Sequence, residues 1–504
     1  MAASPSLQTW SQRALACEDA RDLPAALDAW QHALADQPQS LDIAGHLARL
    51  AFRLGMWDMA EKFYAHLITQ GRHDIPTLKA YAETLREQSR FDEAIDLLKS
   101  LLADHPGEPS LWEALGTVLS AQGDNDTALV FFTEALRLAP HSLHARFYHG
   151  CALLECGQTR EGLAEVVACA EGFDDPDNRT SAAITAAQAY LALGDLANGW
   201  RWYAARHKRG AQGEVHYDLD LPRYETGTSL SHKRLFLSAE QGLGDEVMFA
   251  SLLPDIAPDL ASLGIAVEPR LVPLFRRSFP KAEVVAHRTR TVDGRIIRDF
   301  PDLATGDYDL YGLMGDLLPV KRTTIADFPA DNTFLRPSLD RLAHWQAHLA
   351  TLGAKPKIGL LWKSLKANAL RDRYFAPFAQ WQKLLALDGL TFVNLQYGDT
   401  AAEQAIAVAT LHTPPGIDLK NDLDDLAALC SACDLVLGPS NATTNIAAAC
   451  GVKTWVLSTP STWLKLGQAN YPWYPTAQVF VTESLNDWSP VMSEIKTALL
   501  TKFS

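Results

Sequence analysis

Long apolar runs are missing from this chain. No stretch approaches the roughly 18–20 uninterrupted apolar residues of a membrane span, and the N-terminus has no basic start followed by an apolar core. A cytoplasmic address is therefore expected. Cysteine is scarce, seven in 504 residues without regular spacing, which excludes a disulfide framework. Cys430 and Cys433 form a Cys-x-x-Cys, but within the apolar passage LAALCSACDLV, where buried thiols are expected rather than metal or redox chemistry. No His or Cys cluster has ligand spacing, so no metal is expected. Basic residues are outnumbered, 45 Lys and Arg against 60 Asp and Glu, for a formal charge of -15. That balance argues against a nucleic-acid binder, whose affinity rests on clustered cations, while leaving room for a local pocket for a small anion.

What is present is an ordinary soluble composition, 47% apolar and 21% charged, in a chain too long for one core. Its first half is periodic. Small residues recur at intervals of 34 at Ala26, Ala60, Ala94, Ala128 and Gly162, and again at Ala48, Ala82, Gly116 and Gly150. Pro38, Pro106 and Pro140 share one lattice, with Arg72 in the missing place. Two helices per unit can approach closely only where a side chain is small, and proline ends the second helix. This is the tetratricopeptide period, and FDEAIDLLKSLLADHP and NDTALVFFTEALRLAP resemble that family's second helix. A sixth, less regular unit is expected through GDLANGWRWYAARHK, where Gly199 arrives 37 residues after Gly162. The concave face of such a stack binds extended peptide or another protein, so a protein partner is expected.

The lattice stops near residue 211, and GEVHYDLDLPRYETGTSLSHK reads as an irregular connector. Strand-like runs then alternate with helical ones: RLFLSA, EVMFASLLPDIA, IAVEP, KIGLLW, LTFVNLQ, CDLVLG and KTWVLS. That alternation predicts parallel βα units, with a weak join near PSLDRLAHWQAHLATLGAKPK. The expected domains are a repeat region at 1–210, a connector at 211–233 and two lobes at 234–338 and 339–504. Ligands bind beyond the carboxyl ends of such strands, which directs attention to the loops. In AEQGLGDEV, Gly242 and Gly244 let the backbone turn sharply, beside Gln241 and a helix expected to start near Asp245. The loop after KIGLLW carries Lys363, Lys366, Arg371 and Arg373, cations able to balance a phosphate, or solvated surface charges. In GPSNATTNIAAA, Ser440, Asn441, Thr443 and Thr444 can cap a helix and also bind phosphate or ribose.

The motifs EQGLGDEVMFASLLPDIA, GLLWKSLKANALRDRYFAPFAQW, FVNLQYGD, DLVLGPSNATTNIAAACGVKTWVLS and WLKLGQANYPWYPTAQVF together resemble bacterial tetratricopeptide-linked glycosyltransferases. Their catalytic halves are similar to the heptosyltransferase-type branch of the GT-B fold. The resemblance implies a helical tetratricopeptide solenoid followed by an α/β GT-B module of two Rossmann-like lobes. The GPSNAT and YPWYP forms look most like the flagellin glycosyltransferases that attach nonulosonic acids, such as pseudaminic or legionaminic acid, to Ser or Thr. Carried over by motif, Asp245 is the general base, against its bland role as an acidic helix-start residue worth about 0.3–1 kcal/mol; Glu240 and Glu246 are the substitutes. Donor contacts are expected from Gln241, Gly242, Gly244, Lys363, Arg371, Arg373, Gln396, Ser440, Asn441, Thr443 and Thr444.

The related heptosyltransferase-type enzymes commonly have Asp-Thr-Gly followed by His where this chain has Ser440, Asn441, Ala442 and Asn445. Losing an acid there fits an anionic donor such as a CMP-linked nonulosonate. Asp218-Leu-Asp220 and Asp307-Tyr-Asp309 have the Asp-x-Asp form, but GT-B enzymes generally work without a bridging ion, and no cofactor beyond the donor is implied. Trp463, Tyr471, Trp473 and Tyr474 either wall the donor cleft or pack the lobes. Two other functions fit the sequence: a transferase acting on lipopolysaccharide or another glycan, and a non-catalytic scaffold with a decayed transferase half.

Overall fold

The computed structural model describes residues 7–20, 22–208, 215–240, 242–292, 295–329, 333–364, 373–485 and 487–503. The first half is a stack of antiparallel helix pairs: α1 (Leu7–Asp19) with α2 (Leu23–Asp36), α3 (Leu41–Arg53) with α4 (Trp57–Thr69), α5 (Ile75–Glu87) with α6 (Phe91–Asp104), α7 (Pro109–Gln122) with α8 (Asn125–Leu138), α9 (Leu143–Glu155) with α10 (Thr159–Gly172), and α11 (Pro176–Ala192) with α12 (Leu196–Tyr203). The small-residue lattice is the reason. Ala26, Ala60, Ala94 and Ala128 are fully buried where helices cross. A β-carbon on Gly162 would lie 2.7 Å from the Gly150 carbonyl oxygen, and one on Gly116 2.6 Å from the Phe132 ring. Arg72, standing where other units have proline, donates from Nη1 to the Leu41 carbonyl and so ties successive units together.

Among the described residues the second half contains three sheets. β1 (Val215–Tyr217), β5 (Arg288–Val292) and β6 (Arg295–Asp299) form one in the order β1-β6-β5. The stretch expected to be an irregular connector therefore contributes a strand, parallel to β6. A four-stranded parallel sheet has the order β4-β3-β2-β7, from β2 (Arg234–Ser238), β3 (Ser262–Val267), β4 (Glu283–Ala286) and β7 (Leu310–Leu313). A six-stranded parallel sheet has the order β10-β9-β8-β11-β12-β13, from β8 (Lys357–Leu360), β9 (Thr391–Asn394), β10 (Leu411–His412), β11 (Leu435–Pro439), β12 (Thr454–Ser458) and β13 (Ala477–Val481). Period-two burial builds both faces of this last sheet. Ile358, Leu360, Leu435, Leu437, Trp455 and Leu457 pack towards the C-terminal helix Ser489–Phe503. Leu361, Val436 and Val456 join the larger core, which also takes in Leu191, Leu196 and Trp200 of the repeats. Cys430 and Cys433 lie in that core, and burial pushes both thiols up, Cys433 to about 12.

Strand order reverses in each larger sheet, between β2 and β7 and between β8 and β11. Loops on either side of such a reversal run in opposite directions and leave a crevice at the carboxyl ends of the strands. The candidate residues cluster at these two places.

Candidate functional site

After β2 the chain turns at Gly242 into the short helix α13 (Leu243–Phe249), with Asp245 in its first turn. Gln241 lies outside the described residues. α13 packs on the helix Ala442–Ala449 that follows β11. The approach is close: a β-carbon on Gly244 would sit 3.3 Å from Asn445 Nδ2 and 3.7 Å from the Asn441 carbonyl carbon. Gly244 thus brings the two reversal points together. Asp245 borders a cavity of about 240 Å³ that Glu240, Arg206, Tyr217, Arg223 and Trp463 also line.

Within this wall Glu240 is committed elsewhere. Its Oε1 accepts from the Gly315 backbone N–H at 2.9 Å and from Arg206 Nη2 at 3.4 Å, bonding the loop after β2 to the loop after β7. Arg206, just beyond α12, also reaches Asp316 at 2.6 Å, where His207 Nε2 and Arg223 Nη2 converge at 2.6 and 3.3 Å. Burial works against charge on Asp316, but the His207 hydrogen bond and the Arg206 and Arg223 guanidinium groups outweigh it and hold this carboxyl well below the usual range. Arg298 donates from Nη1 to the Ala239 and Glu240 carbonyls, fixing the start of the glycine turn from behind. Glu246 points away from the cavity; it accepts from the Glu268 backbone N–H at 2.9 Å and pairs with His287 at 3.2 Å. Of the three acids in this loop, Asp245 and Glu240 face the cavity, and Glu240 serves the fold.

On the second sheet Asn441 caps the helix Ala442–Ala449. Its Oδ1 accepts from the Thr443 and Thr444 backbone N–H groups, and Thr444 Oγ1 accepts from the Asn441 N–H in return. This reciprocal box accounts for Thr444, and Thr443 is buried as well. Ser440 is exposed at the strand end, and the buried Nδ2 of Asn441 has no hydrogen-bond partner, an orphan donor of the kind ligands satisfy. Tyr474 donates to Asn445 Oδ1 at 2.9 Å, and Asn445 Nδ2 donates to the Asn441 carbonyl at 2.8 Å. The C-terminal aromatics therefore pack and position the site. Trp473 is fully buried, edge-on to Trp200, Phe328 and Trp463. Burial, with the Asp245 carboxylate nearby, pushes the Tyr471 and Tyr474 hydroxyls up.

The basic loop is divided. Lys366 and Arg371 lie outside the described residues. Lys363 lies beside the β8–β11 reversal, with its ammonium on Glu403; burial opposes charge on Glu403, but the lysine hydrogen bond outweighs it and lowers that carboxyl. Gln396 is turned inward, its Oε1 accepting from the Trp362 and Lys363 backbone N–H groups at 2.9 Å each, so it shapes the loop. Arg373 leaves the crevice and docks on the repeats: Nη1 donates to the Ser120 carbonyl and Nη2 to Tyr374. Tyr374 and Ser461 in turn donate to Glu155 of α9 at 3.1 and 3.2 Å. The Asp-x-Asp motifs are occupied by arginines, Asp218 by Arg290 and Asp309 by Arg234.

Sequence reasoning missed Arg206, Asp316, Glu155 and Arg298. Each acts across a seam between distant segments, and no local pattern announces it.

Fold and site define a tetratricopeptide-repeat protein with a C-terminal α/β half of parallel sheets. The tetratricopeptide repeat family matches residues 81–142. Protein FlbA of Caulobacter vibrioides is 44% identical over 498 residues, 97% of this chain and 83% of that one, and the chain belongs to its family. A second relative, the probable UDP-N-acetylglucosamine–peptide N-acetylglucosaminyltransferase SPINDLY of Arabidopsis thaliana, is 28% identical over 106 residues, 21% of this chain and 10% of that one. Among solved structures, a thermophilic tetratricopeptide protein of Thermus thermophilus aligns at 22% identity with a TM-score of 0.31, over 35% of this chain and 97% of that one. Among the described residues no helix is long and apolar enough to cross a membrane.

Proposed function

We propose that this protein is a protein O-glycosyltransferase. A nucleotide sugar binds at the strand ends of the six-stranded sheet, and Asp245 takes the proton from a Ser or Thr hydroxyl as oxygen attacks the anomeric carbon and the nucleotide leaves. One observation carries the reading: the turn bearing Asp245 packs on the Asn441 cap at the seam of two parallel sheets, each at its own strand-order reversal. An acceptor hydroxyl and a donor held there meet within reach of one carboxylate, as general-base catalysis requires. Leaving-group charge falls to the Asn441 amide, the Ser440 hydroxyl and Lys363 once it exchanges Glu403 for phosphate.

The donor we infer is CMP-linked and acidic, a nonulosonic acid, because no carboxylate stands at Ser440–Asn441. The acceptor we infer is flagellin, held by the repeats. A peptide acceptor also agrees with the SPINDLY relative, whose name is that of a peptide N-acetylglucosaminyltransferase. The test is intact-mass analysis of purified flagellin incubated with the protein and a CMP-nonulosonate. A mass gain of one sugar residue is expected. No gain from a chain that binds both flagellin and CMP overturns the acceptor or the chemistry, and a clear binding preference for ADP over CMP and UDP returns the donor to the heptose type.

A further inference from the structure

A second cavity, of about 250 Å³, lies where the six-stranded sheet meets the repeats. It is lined by Glu155, Thr185 and Gln188 from the repeat side and by Arg373, Tyr374 and Ser461 from the sheet side. Gln188 of α11 also lines the cavity beside Asp245, as does Ile184 one turn earlier. On the opposite wall the same continuity holds, with Ser461 in one cavity and Trp463, two residues on, in the other. Each cavity alone is smaller than the roughly 300–1,000 Å³ typical of a ligand pocket. Taken together across Gln188, they reach that range.

We propose that α11 is a wall of the donor site, with Gln188 and Thr185 holding the glycosyl group of the nucleotide sugar and acting as specificity-determining residues. This rests on the transferase reading and adds to it a substrate contact from the repeats. The chemistry of the lining selects the ligand. Thr159, Thr185 and Ser461 offer hydroxyl oxygens that can accept, their protons being given to the Gly157 and Ser181 carbonyls and to Glu155, and Gln188 offers an amide that both donates and accepts; Leu154 and Ala189 give an apolar floor, and Tyr374 an aromatic ring. A glycosyl ring has polar edges and an apolar C–H face, and an N-acyl methyl suits the floor. A phosphate would need free cations, and Arg373 already gives Nη1 to the Ser120 carbonyl and Nη2 to Tyr374, which leaves its buried Nε as a single unpaired N–H. The position agrees, since a sugar against Gln188 lies between the Ser461 loop after β12 and Asp245.

The test separates sugar from nucleotide. Binding of CMP, UDP and ADP, and of CMP-N-acetylneuraminic acid, UDP-N-acetylglucosamine and ADP-glucose, is measured by calorimetry on the full chain and on Gln188→Ala and Thr185→Val. At least one nucleotide sugar should bind the wild type more tightly than its parent nucleotide. Each substitution should weaken that nucleotide sugar by about threefold to tenfold, the loss of one hydrogen bond, and leave the parent nucleotide unchanged. Both side chains reach the surface of α11, so an unchanged melting temperature is expected alongside. An advantage of the sugar that survives both substitutions, or no such advantage in the wild type, overturns this assignment alone. A wild-type chain that binds none of the six overturns the transferase reading and this assignment with it.

Discussion

The guanidinium of Arg206 lies 2.6 Å from the Asp316 carboxylate, joining the end of the last repeat to the loop after β7. Both side chains are about nine-tenths buried, and Arg206 also bonds Glu240. Removing Arg206 leaves Asp316 with His207 and Arg223 and leaves Glu240 without its cation, a loss below the about 3–5 kcal/mol of a buried pair broken outright. Arg206→Met should therefore lower the melting temperature and split calorimetric unfolding into two transitions, repeats and α/β half. A single unshifted transition would mean that Trp200, whose Nε1 donates to the Arg322 carbonyl at 2.7 Å, holds the seam without it.

Asp245→Ala separates base from cap. Loss of a general base lowers turnover by about 10²–10⁴, whereas loss of an acidic residue in a first helical turn costs about 0.3–1 kcal/mol of stability. The expected result is transfer lost with melting nearly unchanged, read by mass gain on the acceptor and by thermal denaturation. Normal turnover would reduce Asp245 to a helix-start acid. Glu240 would be a poor successor, because its oxygens already hold Gly315 and Arg206.

Lys363 and Glu403 form a competition. If the ammonium leaves Glu403 for a phosphate, Glu403→Gln should tighten CMP binding, and Lys363→Ala should weaken it by about tenfold or more, the scale of a charged hydrogen bond. Calorimetry at low and high salt checks both, the lysine's contribution shrinking as salt rises. Equal affinities in the two variants and the wild type would confine Lys363 to its ion pair.

Glu155 supplies a pH dependence with a definite sign. Burial raises its carboxyl pKa above the ordinary value, more than the nearby Arg373 charge lowers it. A raised folded-state pKa gives stability that is full below the unfolded value and is lost as pH rises through the folded one. Glu155→Gln removes that loss. The melting temperature of the variant minus that of wild type should grow as pH rises from about 4 towards 8; a flat difference would show the carboxyl ionising equally well folded and unfolded.

Gly162→Ala restores the residue found at the same lattice position in the four preceding units, yet it should destabilise. Its β-carbon would fall 2.7 Å from the Gly150 carbonyl oxygen and 2.9 Å from Leu154, an overpacking that costs about 1–3 kcal/mol. Urea denaturation reads the difference, and a neutral result would mean that α9 and α10 separate without strain.

The repeats were legible because their packing requirement is local and periodic: a small residue every 34 positions is both the pattern and the contact. The strands in RLFLSA, IAVEP, KIGLLW, LTFVNLQ, CDLVLG and KTWVLS were legible because each is an apolar run buried in its sheet; β4, β5, β6, β7, β10 and β13, shorter or more polar, were not picked out. β1 was not, since three residues with mixed polarity become a strand only through β6, far along the chain. The helix expected from EVMFASLLPDIA is present but changes type along its length: α13 ends at Phe249, a 3-10 turn covers Ala250–Leu252, and a short α-helical turn resumes at Leu253 with Pro254 in its first turn. Arg373 shows the limit at the site. Its neighbours in sequence suggested a phosphate ligand, but which way a loop cation turns depends on what lies opposite, and Ser120 stands there 253 positions earlier.

Both sheets lean on the same stack of helices. Arg206 and Trp200 fasten it to the first, Arg373 and Tyr374 fasten the second to α7 and α9. Any change in the angle between the sheets therefore flexes the stack, whose shape is the sum of small rotations between neighbouring units. An occupant of the concave surface that prefers one curvature shifts the crevice towards the matching angle, and thermodynamic reciprocity fixes the converse: any ligand of the crevice that prefers that angle changes the affinity of the stack for that occupant by the same factor.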